Sequence, residues 1–418
     1  MDASSPFAPL GFAAVPTPTT AKAPPAPQIR SQVKRDVFAT FATFAVNGAV
    51  IGSWTSRIPA LKLHLDVGLS VLGLVFLCMG LGSLISMPFT GFVLKYVSTK
   101  VVGIACALGS CLTLVGLTHV DHVVAFSVFY AFAGLCYGAW DVTMNVHANA
   151  VEIAYGRTIM PALHGAWGAG MLVGAAAGFL FTRAHITLEA HMTITLLVLM
   201  VMAVGLMLVW LDLRDQHVDP PGKERLGRRA MLSASLVIGV MVMCSTIGEG
   251  SAADWLALHM VEDHHTSAAI GTSVYVVYAL FLTGGRLGGH LLINRLGRVA
   301  AIRVSGIVTF VGVVVVILAP SPPLSYVGAA LWGLGLAVVF PAAVSAAGEL
   351  GGAYAGQTIS TVVTIAYGGF LIGPPMLGFL GDHFGLANAF WVVAVLALGY
   401  AALAGSARPR LTQGTPPE

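Results

Sequence analysis

Charged side chains are scarce in this 418-residue chain. They make up 9% of it, against 57% hydrophobic residues, where a soluble protein carries roughly a quarter charged residues. So little charge excludes an ordinary water-soluble domain and points to a polytopic membrane protein. The net charge of +3 is small and its basic residues are spread through loops, so nucleic acid is not an expected partner. The five cysteines (Cys78, Cys106, Cys111, Cys136, Cys244) fall inside apolar runs without metal-ligand spacing. They read as small apolar packers rather than a disulfide framework or a metal site. P-loop, zinc and Gly-x-Ser-x-Gly motifs are missing, so neither an enzyme nor a cofactor is expected. Residues 1–36, rich in Pro, Ala and Thr, hold no apolar core of signal-peptide length and are expected to form a disordered tail.

Long apolar runs are what the chain has in abundance. Twelve reach spanning length, in two sets of six: 37–56, 70–94, 101–119, 123–150, 158–182 and 190–212, then 231–258, 267–292, 300–319, 324–348, 354–379 and 385–405. The expected organisation is an N-terminal six-helix bundle over 37–212, a charged linker over 213–229, a C-terminal bundle over 230–405 and a short tail over 406–418. An even number of spans puts both termini on one side. Seventeen of the 21 Lys and Arg lie on that side and three on the other, which predicts cytoplasmic termini. The halves echo each other: Gly73 and Gly91 match Gly271 and Gly289 at a constant offset, and GAAAGFL (174–180) faces GPPMLGFL (373–380). This pattern predicts a duplicated 6+6 bundle.

A few motifs stand out against this background. GSWTSRIP (52–59), GAWDVTMN (138–145), IMPALHGAWGAG (159–170) and EGSAADW (249–255) carry unusual polar groups within or beside apolar runs. With twelve spans and a basic central linker, the chain resembles the major facilitator superfamily over residues 37–405. That superfamily's cytoplasmic loop motif survives only in eroded form, as GFVLKYVSTK (91–100) and NRLGR (294–298). The closer motifs resemble a YbjJ-like bacterial branch similar to the fucose permease group. That resemblance implies an all-α transporter of two pseudo-symmetric six-helix bundles in a bacterial inner membrane. Asp141 and Asn145 match the acid-x-x-x-Asn pattern of the permease's fourth helix. The acid of its first helix has no counterpart here, where the matching stretch offers only Asn47, so coupling through an acid pair is not implied.

Asp141 is the leading candidate. Tyr137, Asp141, Asn145 and Asn149 recur every four residues and form one polar stripe on a helix. An ionisable group at membrane depth marks a functional site by default; a permanently bonded joint between helices is the alternative. His164 and Glu249 are the further proton-coupling candidates, with His164 at a depth compatible with contact to Asp141. Arg57 with Asp254 or Glu249 could lock the outer mouth, against the alternative of ordinary interfacial charges. Arg286, near the cytoplasmic end of its span, could bind an anionic group, brace the inner gate or merely snorkel. Gln357, Thr361 and Thr364 offer uncharged polar groups at helical spacing, with Tyr367 extending the same region, and Trp54, Trp140, Trp167 and Trp332 offer aromatic faces for a sugar. Asn47, Tyr137 and Asn145 complete the substrate-binding candidates. Gly170, Gly174 and Gly178 read as helix packers. Asp263, His264, His265 and His259 could hold a metal, but a short external loop with no second cluster makes this the weaker reading.

The expected function is secondary active transport of a small polar solute by alternating access, with protons as the coupling ion, a lipid bilayer as surroundings and a monomer as the working unit. A sugar or sugar derivative is favoured by the resemblance. The same fold could instead export drugs or metabolites through an apolar cavity, for which Met79, Met87, Met241 and Met243 would suit. A non-transporting sensor is the alternative from another class, and the short tails argue against it.

Overall fold

The computed structural model describes residues 27–157, 159–211, 228–351 and 355–408. Most of the expected N-terminal tail, the central linker and the C-terminal tail lie outside the described residues. Among those described, every regular element is a helix: α1 (Pro27–Thr55), α2 (Ile58–Leu65), α3 (Leu69–Val93), α4 (Thr99–Leu117), α5 (Val123–Tyr155), α6 (Met160–Arg183), α7 (Leu188–Leu208), α8 (Arg228–Glu262), α9 (Ala268–Leu296), α10 (Arg298–Leu318), α11 (Pro322–Leu336), α12 (Val339–Gly351), α13 (Ala355–Phe384) and α14 (Leu386–Leu403), with a 3₁₀ turn over Ala404–Ala407. Twelve helical stretches are long and apolar enough to cross a membrane, α11 and α12 together making one of them and the short α2 none. The all-α fold with twelve spans is therefore as expected.

Three boundaries differ from the hydropathy reading. Helix α1 starts at Pro27, ten residues before the apolar run, because Val33 and Asp36 are buried and Asp36 is bonded to His147 of α5 and to the Leu211 N–H just past α7. Residues 27–36 thus belong to the helix rather than to a disordered tail. Helix α2 occupies a stretch read as a loop. Pro59 opens it, where a missing N–H costs nothing, and Ile58, Leu61 and Leu65 bury one side of it. The tenth span breaks at Ala337 and Val338 into α11 and α12.

The helices pack in two parallel sets. Helix α1 lies on α6 and α3 on α5, while α4 touches α5 and α7; in the second set α8 lies on α13 and α9 on α11, while α10 touches α11 and α14. Matching pairs make contact in both halves, which is the geometry an internal repeat predicts. Close backbone approach makes this possible. A Cβ added at Gly170 would collide with the Ala45 carbonyl oxygen, and one at Gly174 with that of Ala49, so α6 can lie against α1 only where it has no side chains. The halves meet through α3 against α13 and α6 against α9.

Cross-half bonds gather at the end opposite the termini, called here the distal end. Lys62 Nζ pairs with Glu262 at 2.8 Å, and Thr272 Oγ1 donates to the Ser56 carbonyl at 2.9 Å. The Asp382 carboxylate on α13 accepts the N–H groups of Leu69 and Ser70, each at 2.8 Å. Gly68, at the N-cap of α3, has no side chain to offer these amides, so the other half caps this helix.

Candidate functional site

A cavity of about 320 Å³ lies between the halves, bordered by residues of α1, α3, α5 and α6 on one side and of α8, α9 and α13 on the other. Its volume suits a small organic solute, since ligand pockets run from roughly 300 to 1,000 Å³. Helix direction fixes the depth of its walls. Phe76, Tyr130 and Tyr275 each lie seven residues in from the distal ends of α3, α5 and α9, and Asp254 lies eight in from that of α8. They ring the distal chamber together with Trp54, in the last turn of α1. Asp141 stands eighteen residues in from the distal end of α5, about 15 Å nearer the termini than Asp254 at 1.5 Å per residue.

The wall is built from locked aromatic side chains. Trp54 Nε1 donates to Tyr130 Oη at 2.8 Å. Asn47, fully buried on α1, accepts from Tyr137 Oη at 2.8 Å and from Trp167 Nε1 at 2.9 Å. One amide oxygen thus orients rings from α5 and α6. Tyr278, Tyr367 and Phe370 face them from the other half.

Three carboxylates enter this aromatic space, and their partners differ. Asn145 Nδ2 donates to the Asp141 carbonyl at 2.8 Å and reaches its Oδ1 at 3.3 Å. Arg286 Nη2 bridges both oxygens of Glu249 at 2.7 and 2.8 Å. Asp254 has no hydrogen bond or ion pair among the described residues.

The structure brings Asp141, Glu249, Asp254, Trp54, Tyr137 and Trp167 to one cavity wall. Asn47, Asn145 and Arg286 stand directly behind it. Other candidates lie elsewhere. His164 sits edge-on to Phe44, with no described bond to Asp141. Trp332 is fully buried between Tyr278 and Phe390 inside the second half. Gln357 and Thr364 are exposed, and Thr361 returns its hydroxyl to the Gln357 carbonyl; all three lie near the termini end of α13, away from the cavity. Of the methionines suited to an apolar pocket, Met79 and Met87 line the cavity, whereas Met241 is fully buried.

The expected lock of Arg57 on Asp254 or Glu249 is not made. Arg57 instead donates to Thr182 Oγ1 at 3.0 Å and to the Ile186 carbonyl at 2.9 Å, within its own half. It stands between α1 and α2 and faces the close of α6, so its partners are a hydroxyl of the last turn of α6 and a carbonyl of the α6–α7 turn. Arg286 neither snorkels nor stands apart from Glu249: α8 and α9 are adjacent, and the two side chains meet near mid-span. Two of the residues considered for a metal have a structural role. His259 Nδ1 lies 2.7 Å from Asp263 Oδ2, which accepts the Ala387 N–H at 2.8 Å. Among the described residues no three His, Cys, Asp or Glu are grouped to hold a metal ion.

Some participants escape a reading of the sequence. Tyr130, Tyr275, Tyr278, Phe76 and Phe370 look like ordinary apolar-span aromatics, and only the shared depth of three of them marks a common level. Asp36 and His147 form a second buried polar site, 2.9 Å apart, with the His147 ring stacked on Trp210 at 3.9 Å and the Leu211 N–H bonded to Asp36 at 3.0 Å. Asp36 precedes the apolar run by one residue, so a boundary drawn on hydropathy hides it.

Two helical sets enclosing an acid-bearing cavity in a twelve-span chain define a membrane transporter. The family model of the Major Facilitator Superfamily matches residues 37–370 and, in a second match, 238–417. The chain belongs to that superfamily. It is 29% identical to an uncharacterized transporter, y4wD, of Sinorhizobium fredii, over 87% of this chain and 96% of the relative. It is 27% identical to the membrane protein MosC of Rhizobium meliloti, over 87% and 88%. Among solved structures a point mutant of the nucleoside transporter NupG superposes with a TM-score of 0.74 at 13% identity, covering 90% of this chain and 99% of that one. A bacterial homolog of the human lysosomal transporter Spinster, inward-facing and unoccupied, gives 0.70 at 12% identity, covering 92% and 98%. The family model establishes the family, and the structural likenesses the fold.

Proposed function

We propose that this protein is a secondary active transporter that moves a small polar organic solute by alternating access, with protons as the coupling ion. The observation that carries the reading is Asp141. It lines a cavity between two helical halves that are bonded together at one end, and it has an amide but no cation beside it. A carboxylate in so apolar a setting is costly when charged and unpaired, which favours taking up a proton when the cavity closes. Rocking of the halves would then carry proton and solute together. The excess of Lys and Arg on the termini side supports cytoplasmic termini and hence a cavity sealed toward the outside, and the bacterial relatives support a bacterial inner membrane. The halves themselves, 37–212 and 230–405, are proposed as the moving units.

A sugar or sugar derivative is the favoured solute. The Asp141-x-x-x-Asn145 pattern, similar to that of the fucose permease group, supports it, as do the ring faces of Trp54 and Trp167. Met79 and Met87 in the wall favour a second reading, export of a more apolar metabolite through the same cavity.

Proteoliposomes with an imposed pH gradient test the coupling. Asp141→Asn is expected to abolish gradient-driven accumulation while binding and counterflow persist. Undiminished uphill transport in that variant would remove Asp141 as the coupling site.

A further inference from the structure

The three cavity acids are not equivalent. Glu249 is neutralised by Arg286 and Asp141 is held by Asn145, whereas Asp254 has neither a cation nor a donor among the described residues. Its surroundings are aromatic: Trp54, Phe76, Tyr130 and Tyr275 border the same level of the cavity. A bond to Trp54 fixes the Tyr130 ring, and Tyr275 stacks with Tyr278 at 6.1 Å between centroids. A second buried polar group at the cavity wall also lacks a protein partner. Tyr278 lines the cavity, is 1% exposed, and its hydroxyl has no protein partner. A buried hydroxyl without a partner costs free energy unless something else supplies the bond.

A carboxylate framed by rings matches one kind of ligand well. Ring faces carry negative quadrupole potential and attract a cation, most strongly where water is excluded, while the carboxylate supplies the full counter-charge. A neutral polyol would satisfy hydroxyls here but would give the Asp254 carboxyl no counter-charge, so that its ionised form would stay as costly as that of Asp141. We infer that the distal chamber takes an organic ammonium group, with Asp254 as its counter-ion and the four rings around it. The inference rests on the transporter reading above and names the substrate class of the same cavity: a solute, a sugar derivative included, that carries an amine. The two unpaired acids then divide their work by depth. Asp141 handles the proton nearer the termini, and Asp254 recognises the ligand's charge at the sealed end.

Binding to the intact protein in detergent tests this with matched probes at neutral pH: D-glucosamine against D-glucose, and 2-phenylethylammonium against 2-phenylethanol. Quenching of intrinsic tryptophan fluorescence is one readout, because Trp54 borders the chamber. The ammonium member of each pair is expected to bind about tenfold more tightly. Asp254→Asn should erase that preference and Asp141→Asn should keep it. Equal binding within both pairs, no saturable binding of either ammonium, or a preference that survives Asp254→Asn would overturn the inference. A measurement on the unmutated chain guards against a variant that does not fold. Dicyclohexylcarbodiimide modification of Asp254, mapped by mass spectrometry, should be slowed by the ammonium probes and not by the neutral ones; equal rates would also overturn it. Binding is read without a gradient. Uphill flux of a neutral solute with no ammonium preference would therefore sink this inference alone, and ammonium binding without any flux would sink only the transport reading.

Discussion

At the scale of single residues, the Glu249–Arg286 pair has the clearest energetic consequence. Removing one partner strands a charge in a largely apolar setting, whereas removing both leaves only lost packing. Because 25% of the Arg286 side chain and 17% of that of Glu249 remain exposed, the cost falls below that of a fully buried pair, at about 1–3 kcal/mol. Glu249→Gln is expected to lower the melting temperature of the purified protein, and adding Arg286→Met should recover much of the loss. Simple addition of the two losses would show that the pair is not coupled. Part of this site is legible in the sequence. Asp141, Glu249 and Asp254 stand out because charge is rare in apolar spans, and Tyr137 because it shares a helical face with Asp141. The pairing of Arg286 with Glu249 is not legible, because two residues 37 apart on adjacent helices leave no local pattern. Trp332 illustrates the opposite failure. A tryptophan in a span looks the same whether it faces a cavity or, as here, the core of one half.

Helices carry a second lesson, about their ends. Three of them begin at residues with no useful cap of their own, and acids outside the helix supply the bonds. Asp382 caps α3 behind Gly68, Glu152 accepts the N–H groups of Ile159 and Met160 at the start of α6, and Asp263 accepts that of Ala387 behind Gly385 at the start of α14. Hydropathy finds the bodies of these helices because an apolar run of spanning length is a strong signal. Their starts are set by acids outside the helix itself, so local capping patterns are uninformative and the boundaries drift. Asp263 makes the effect measurable, since it lies outside the spans. Burial opposes its ionisation, but the His259 bond and charge and the Ala387 N–H together hold its carboxyl below the usual carboxylate range. A lowered folded value means that the stabilisation is complete above the ordinary carboxylate pKa of about 3.9 and is lost as pH falls through the lower folded value. Asp263→Asn should therefore cost about 1 kcal/mol at neutral pH and flatten the acid limb of a melting-temperature profile. An unchanged acid limb would exclude this cap as its source.

For the molecule as a whole, the proposed rocking of the halves would be limited by the distal seal. Its components are unequal. A partly exposed ion pair such as Lys62–Glu262 is worth about 0.2–1 kcal/mol. The Asp382 carboxylate is exposed as well, so its hydrogen bonds are worth about 0.5–1.5 kcal/mol each, but it accepts two. Maleimide labelling of a cysteine introduced at Tyr130, applied from the distal side of oriented vesicles, should thus accelerate far more in Asp382→Ala than in Lys62→Ala. Equal acceleration would show that the seal lies elsewhere. Opening also exacts a cost inside α3, because parting the halves takes the Asp382 carboxylate away from the first turn of that helix. In the sealed form the amides of Leu69 and Ser70 are held by the other half; once released, nothing in their own segment replaces that bond. Their hydrogen–deuterium exchange should follow the rocking of the halves, so that two backbone protons near the rim act as a native clock for the transport cycle.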